Sequence, residues 1–589
     1  MNQLHHDGSP LHVSDPEPAL GDTVTVFLRA PAASAGSAPG SVWVRSTPDG
    51  EPRFTPAVVD RTDPDGTVWW RADVEVRNPV TRYRWLLDGT RWLNGLGVAG
   101  HDVPDAHDFR LVADVPPPAW ARDAVVYEIF PDRFARSPAA GDRPLPDWAV
   151  PCDWDDPVLG RDPQTPYQLY GGDLDGIVAH LDHVESLGAN TVYLTPIFPA
   201  RSNHRYDAAA FDAVDPLLGG DKALYRLAEA VHGRGMRLLG DITTNHCGAT
   251  HPWFTAAAAS ASAPEREMFY FDGSGYESWL GVPSLPKLNW ASARLRHRLL
   301  DEVLPRWLDA FDGWRVDVAN MTGRRGADDF AHEVARLARR AVTGARPDAL
   351  LVAEHAHDAT ADLDQGGWHG TMNYAGFTRP LWSWLRSDRL DLPDFLGVPA
   401  PVPRRGGPAV VATMRAFASL VSWRSLVHSW TLLGSHDTPR IRTLVEDDDR
   451  LDVAVGLLMT LPGVPMVFAG DEIGLTGTNG EDARRPMPWH RPERWDSSAL
   501  ARYQALIALR RAWRPMREGG LRWAYVDDDA LAFWRETRDE RLLVLARRAP
   551  GSPIPLPRVD GAENLYGGAT ELSTVDLDGP TFQVWRVPA

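Results

Sequence analysis

Residues 22–29, DTVTVFLR, alternate apolar and polar positions, and Trp70, Ala72, Val74 and Val76 alternate with Arg71, Asp73, Glu75 and Arg77. A period of two predicts strands that bury one face. Between these runs lies PAASAGSAPGS (31–41), which has too few large apolar groups to pack and reads as a loop. Residues 1–118 therefore read as an N-terminal β-sandwich, ended by PPP at 116–118, a stiff segment that cannot donate to a β-ladder.

Beyond it the period changes. Ile177, Leu181, Val184 and Leu187 trace a helical stripe closed by Gly188, and NTVYLTP follows as a buried strand. The unit recurs: Leu224, Leu227, Ala228 and Val231 form a stripe opened by Asp221 as N-cap and stopped by Gly233, before the strand MRLLGD. Helices alternating with strands apolar on both faces imply a parallel sheet covered by helices. With VVYEIF, GWRVD, LLVAE, SWTLL and PMVFAG, about eight units fit, which predicts a (β/α)₈ barrel over 119–514. One interval breaks the rhythm. From 247 to 290 the chain is rich in Ala, Ser, Gly, Pro and aromatics with no clear βα unit, and reads as a subdomain inserted after the third strand. SSALARYQALIALRRAW (497–513) reads as the last helix, capped by Ser497 or Ser498, with Pro515 beyond its end. ALAFWR, RLLVLA and FQVWRV are strand-like, so 515–589 reads as a C-terminal β-sandwich. The expected class is multidomain α/β.

Composition narrows the partners. A formal net charge of −18 makes a phosphate backbone a poor partner and favours a neutral ligand. The 24 Trp residues supply flat faces that suit sugar rings as well as cores. Only Cys152 and Cys247 are present, so no disulfide framework is expected and a reducing cytoplasm is the simplest location. The start, MNQLHHDGSPLHV, has no apolar signal region, and no apolar run is long enough to span a bilayer.

Chemistry collects at the strand ends, which in a parallel barrel converge on one mouth. In GWRVDVANM (313–321), Arg315 and Asp317 share a strand face, either as an isolated ion pair or as part of a site. MRLLGD ends on Asp241, with Asn245 and His246 close behind; LLVAE ends on Glu354; SWTLLGSHD ends on His436 and Asp437. Several carboxylates without an evident nucleophilic Ser or Cys suit glycosidic cleavage, which needs one carboxylic acid to protonate the leaving oxygen and one carboxylate to capture the sugar cation. Arg315 is expected to favour ionised Asp317, and the apolar run before Glu354 to raise its pKa as an acid.

The set DITTNH (241–246), GWRVD (313–317), VAEH (352–355) and GSHD (434–437), in this order, resembles the α-amylase family, glycoside hydrolase family 13. The resemblance implies Asp317 as nucleophile of a retaining mechanism, Glu354 as acid/base and Asp437 as the third carboxylate. It implies Arg315, His246 and His436 as holding the sugar, Tyr206 (in SNHRYD) as its stacking platform, Asp241 as ordering the site, and Arg440 as a further substrate-binding residue. YEIFPDRF (127–134), YGGDLDG (170–176), LPKLN (285–289), GDEIG (470–474) and EDARRPMPW (481–489) look like the branch with neopullulanase, cyclomaltodextrinase, maltogenic amylase and maltodextrin glucosidase. That branch implies a homodimer through the N-terminal sandwich. Two departures, HAHD after Glu354 and Met321 where neopullulanases tend to have Glu, fall near the acceptor subsites. The family's calcium loop is matched by Gly172 and Asp173, but FARSPAAGD (134–142) lacks its Asn-rich ligands, and no cofactor is expected.

Other readings stand beside these. His355 and His357 form an HxH pair suited either to zinc or to loop packing, and CDWDDP (152–157) is either a cation site or a solvated acidic loop. Asn245 caps a turn or serves the site, and Trp279 and Trp290 line subsites or fill a core. The expected activity is hydrolysis of short maltodextrins, cyclodextrins or pullulan. Alternatives are transglycosylation or isomerisation, exo-acting α-glucosidase action, and cleavage of α-1,6-linked cyclic glucans. A silent carbohydrate-binding protein is disfavoured by the presence of all three carboxylates.

Overall fold

The structure, a computed structural model, describes residues 4–588 apart from 33–37, 274, 393–394, 557–560, 570–571 and 573–578. Part of the expected 31–41 loop lies outside the described residues. Two antiparallel sheets face each other at the N-terminus. In one, Val68–Glu75 lies between Thr23–Ala30 and Val58–Thr62; in the other, Val80–Leu87 pairs with Val42–Ser46, Arg91–Asn94 and Phe109–Val112. Val24, Val26, Leu28 and Val74 of the first sheet meet Val42, Val44, Trp85 and Leu87 of the second in one core. The period-two pattern thus places its apolar set between the sheets.

Eight strands form the barrel: β1 (Val126–Ile129), β2 (Thr191–Leu194), β3 (Arg237–Thr243), β4 (Gly313–Asp317), β5 (Leu350–Ala353), β6 (Gly370–Thr371), β7 (Trp430–Leu432) and β8 (Val464–Phe468). They pair in parallel in sequence order, β8 returns to β1, and a parallel bridge from Met372 to Trp430 closes the ring between β6 and β7. Every residue of β1, β2, β4, β5 and β8 is buried, as strands with a filled interior and a helical cover require.

The helix ends depart from expectation in physically clear ways. The stripe from Ile177 to Leu187 is two helices, Leu174–Ala179 and Leu181–Leu187, broken at His180, and Gly188 ends the second with φ 91°. Asp221 is not a cap: the helix Gly220–His232 follows Gly219, and the Asp221 carboxylate accepts from the Val214 N–H. Asp496, rather than Ser497 or Ser498, caps Ser497–Ala512. Its carboxylate accepts from two orphan N–H groups, Ser498 and Ala499, and its charge opposes the helix dipole.

The insertion after β3 holds a helix, Pro252–Ala259, and a short ribbon, Phe271–Asp272 with Gly275–Tyr276. A bridge from His246 to Lys287 ties its return to the end of β3. Trp290 is fully buried and donates to the Thr244 carbonyl at 2.8 Å, so it is a packing residue. Residues 520–587 form one five-stranded antiparallel sheet among the described residues, where a sandwich is expected. Its inner face packs on the barrel helix Asp448–Thr460; Gly456 is needed there because a Cβ would lie 2.4 Å from the Phe582 ring. No helix among the described residues is long and apolar enough to cross a membrane.

Candidate active site

Arg315, in the middle of β4, is wholly enclosed and organises the carboxylates around it. Its Nη1 donates to Asp317 Oδ1 at 3.0 Å and to Asp241 Oδ2 at 2.9 Å, and its Nη2 lies 3.1 Å from Glu354 Oε2. The pair in GWRVD is therefore one part of a cluster. Register explains this: Asp241 on β3 faces Arg315, and Val352 on β5 faces it from the other side, which brings Glu354 to the same rim.

Asp241 also accepts from Tyr193 Oη at 2.6 Å and Tyr206 Oη at 2.9 Å. Fully buried and held by Arg315, Tyr193 and Tyr206, it is placed to order the site. Tyr206 stacks parallel to His436, with ring centroids 5.7 Å apart and an interplanar angle of 13°. The His204 ring also lies near-parallel to Tyr206, with centroids 5.8 Å apart. The Tyr206 platform is thus rigid before any sugar arrives.

The Asp317 and Glu354 carboxyls differ in burial. Asp317, in line with β4, is buried, whereas the Glu354 side chain retains 19% exposure one residue beyond β5. Burial pushes the Asp317 carboxyl well above the usual carboxylate range; Arg315 opposes this, while Glu354 and Asp241 add to it. Arg315 favours the ionised form of Asp317, as expected, but its guanidinium is shared among three carboxylates and burial works against it. Asp317 Oδ2 points elsewhere, 3.9 Å from His246 Nε2.

His436 and Asp437 follow β7 in a loop. Burial works against a charged His436 ring, yet Asp437 and Glu128 together hold its pKa above the ordinary value. Its Nδ1 donates to Glu128 Oε1, and its Nε2 lies 3.2 Å from Asp437 Oδ2. Asp437 opens onto the cleft with 41% of its side chain exposed. Enclosure works to raise its carboxyl, but His436, Arg484 and Arg315 bring it down to about 2. His246 is different: burial and the nearby Lys287 lower its pKa to about 3, so it is a neutral ring. A cavity of about 300 Å³ opens over Glu354 and Asp437, lined also by Tyr374, Arg379, Leu392 and Asn479.

One predicted contact residue is elsewhere. Arg440 is buried beneath the site, donating to Asp471 and to the carbonyls of Phe468, Ala469 and Ala483. The substrate-binding role assigned to it is corrected to a structural one, because every guanidinium nitrogen is occupied by the protein. In its place Arg484 donates to Asp437 Oδ1 and to the His436 carbonyl, both at 2.8 Å. Glu128, Tyr193 and Lys287 also belong to the site's frame without having been singled out. Each lies in or beside a strand end or quoted motif: Glu128 in YEIFPDRF, Tyr193 in NTVYLTP, Lys287 in LPKLN and Arg484 in EDARRPMPW. Asn245 is no turn cap: its side chain accepts from Lys287 Nζ and touches His246 Nδ1 at 3.1 Å. Trp279 is 6.1 Å from the His246 ring and is the tryptophan of the insertion that reaches the site.

Metal-ligating alternatives fit poorly here. Both Asp173 oxygens take donors, from the Ser137 and Gly176 N–H groups, the Ser137 hydroxyl and Arg143 at 2.7 Å. With Arg143 paired to Asp173 and the remaining partners all donors, the set does not suit calcium. Asp155 of CDWDDP pairs with His490 and Arg491, and Asp156 caps its own loop by accepting from the Asp153 N–H. His355 faces Asp362 at 3.7 Å, with the His357 ring 6.4 Å away at 79°.

Comparison with known proteins agrees with this geometry. Residues 128–505 match the model of the α-amylase catalytic domain. A cyclomaltodextrinase of Geobacillus thermopakistaniensis is 32% identical over 489 residues, covering 79% of this chain and 76% of the relative. Neopullulanase 2 of Thermoactinomyces vulgaris is 30% identical over 444 residues, covering 73% of this chain and 70% of the relative. Among solved structures, the ligand-free cyclic α-maltosyl-(1→6)-maltose hydrolase of Arthrobacter globiformis superposes with a TM-score of 0.64 at 33% identity, covering 74% of this chain and 94% of that one.

Proposed function

Because the chain belongs to the α-amylase family and is a glycoside hydrolase, we propose that it is a retaining α-glucan hydrolase acting on short maltodextrins, cyclodextrins or pullulan. The observation that carries this reading is the placement of Asp317 and Glu354 on the two arms of one guanidinium, at 3.0 and 3.1 Å. Such a bridge suits the separation of about 5–5.5 Å that direct carboxylate attack requires. Glu354 gives its proton to the glycosidic oxygen as Asp317 Oδ2 attacks the anomeric carbon and the C–O bond breaks. Glu354 then takes a proton from water, the water oxygen bonds to the anomeric carbon, and the Asp317 ester is released. Tyr206 supports the sugar face, and Asp437 binds its hydroxyls. These steps need no cofactor.

Proton NMR of the first product tests the stereochemistry: the α-anomer is expected, and initial β-anomer would overturn the reading. Glu354→Gln should lose ~10²–10⁴-fold on glucans with poor leaving groups and far less on activated aryl glycosides. Time courses on maltotriose, a cyclodextrin, pullulan and an α-1,6-linked cyclic glucan decide which bond is preferred.

Assembly and location follow the same reading. The N-terminal sandwich exposes Phe54, Val58 and Val59 on the edge strands of its two sheets, which supports a homodimer, to be checked by sedimentation. Two free, buried cysteines suit a cytoplasmic enzyme.

A further inference from the structure

We propose that His5, Asp7 and His12 form a binding site for one divalent first-row transition ion, zinc in particular, at the junction of the three domains. Among the described residues this is the one group of His, Cys, Asp and Glu whose ligand atoms all lie within 4.8 Å of one another. None of the three lines the cleft over Glu354 and Asp437. His5 Nε2 and Asp7 Oδ2 are 3.6 Å apart. Two ligands on a tetrahedral zinc with bonds of ~2.0–2.1 Å stand about 3.3 Å apart, so the pair is nearly set.

His12 supplies the second, independent sign. Its Nδ1 donates to the Phe27 carbonyl at 2.8 Å, which fixes the tautomer and leaves Nε2 a bare lone pair. That Nε2 is buried and has no hydrogen-bond partner, in a residue with no exposure. A ring held by a carbonyl on one nitrogen, with the other bare and an acid and a second imidazole within ligand reach, has the posture of a metal ligand. Packing accounts for the edge-to-face rings of His5 and His12, 5.1 Å apart; the bare nitrogen counts here because the ring belongs to a group of three ligand residues.

Asp7 is itself oriented, accepting from the Ser9 N–H at 3.0 Å and the Leu521 N–H at 2.8 Å. His5 and Asp7 border a cavity of about 540 Å³ between the domains, which gives an ion a way in and leaves the fourth coordination position to water. The segment bridges to the N-terminal sandwich through His5 with Arg29 and Val13 with Val26. Leu521 belongs to the C-terminal sheet, and Gly8 lies against Trp423 of the barrel. An ion here would staple three domains, so its effect falls on stability rather than on glycosidic cleavage.

The test uses the full chain without an affinity tag, stripped by chelator and titrated with Co²⁺. One saturable tetrahedral visible band per chain is expected, displaced by zinc, with zinc raising the melting temperature by several degrees. Asp7→Asn and His12→Gln should each weaken Co²⁺ binding at least ~10-fold and abolish the thermal response, with glucan hydrolysis unchanged. If His12→Gln fails to fold by circular dichroism, His5→Ala, at a partly exposed position, decides in the same way. Absence of a saturable band at millimolar Co²⁺ in the native chain, or unchanged binding in the folded variants, overturns the proposal.

Discussion

The backbone N–H of Val318 donates to Glu354 Oε2 at 2.8 Å from a residue held at φ 44°. A β-branched residue in the left-handed region stores roughly 1–3 kcal/mol of strain. The turn it forms follows Asp317 directly, so the strained peptide ties the end of β4 to the carboxyl beyond β5. Val318→Gly keeps the N–H but removes the strain that fixes the turn. A melting temperature equal to or above the parent is expected by calorimetry, with kcat about 10-fold lower. An unchanged kcat would mean that the turn does not position Glu354.

Arg484 anchors Asp437 and the His436 carbonyl together. A charge-assisted hydrogen bond is worth about 1.5–3 kcal/mol, so Arg484→Ala should lower kcat/KM roughly 10- to 100-fold. Circular dichroism should be unaltered, since Arg484 stands at the cleft and not in a core. A loss below twofold would leave His436 as the sole support of Asp437.

The His436 ring keeps its proton to higher pH than an ordinary histidine because two carboxylates face it. A raised folded pKa means that the charged ring stabilises the fold below the ordinary 6.5, and that this contribution is lost as pH rises through the folded value. NMR of labelled histidine should show a midpoint above 6.5 for this ring, and Glu128→Gln should bring it down. A midpoint that stays in place after that substitution would assign the shift to Asp437 alone.

Glu536 joins two domains, accepting from Arg522 at 2.9 and 2.7 Å with Arg29 at 3.6 Å. Burial would raise its carboxyl, but Arg522 and Arg29 take it from 4.5 down to about 2. That drop corresponds to about 3 kcal/mol of stability, fully present above pH 4.5 and lost as pH falls through about 2. Glu536→Gln should therefore lower the urea midpoint at pH 7, and the gap should close toward pH 2. A gap of constant size would refute the ionic origin.

The carboxylates at positions 241, 317, 354 and 437 were legible because strand period and barrel topology are local properties: an apolar run ending in an acid puts that acid at the mouth. The alternation in DTVTVFLR and the Gly188 stop were legible for the same reason. What the chain's order could not disclose was the third dimension. Arg440 stands three residues from Asp437 yet turns inward to Asp471, while Arg484, 47 residues away, takes its place. Asp496 capped a helix that two serines beside it could equally have opened. Burial of Asp317 more than Glu354 depends on how far each strand rises into the mouth, a matter of register between neighbours and not of flanking residues. Desolvation and charge are summed over every atom packed nearby, so they belong to the assembled barrel; residue type and spacing belong to the sequence.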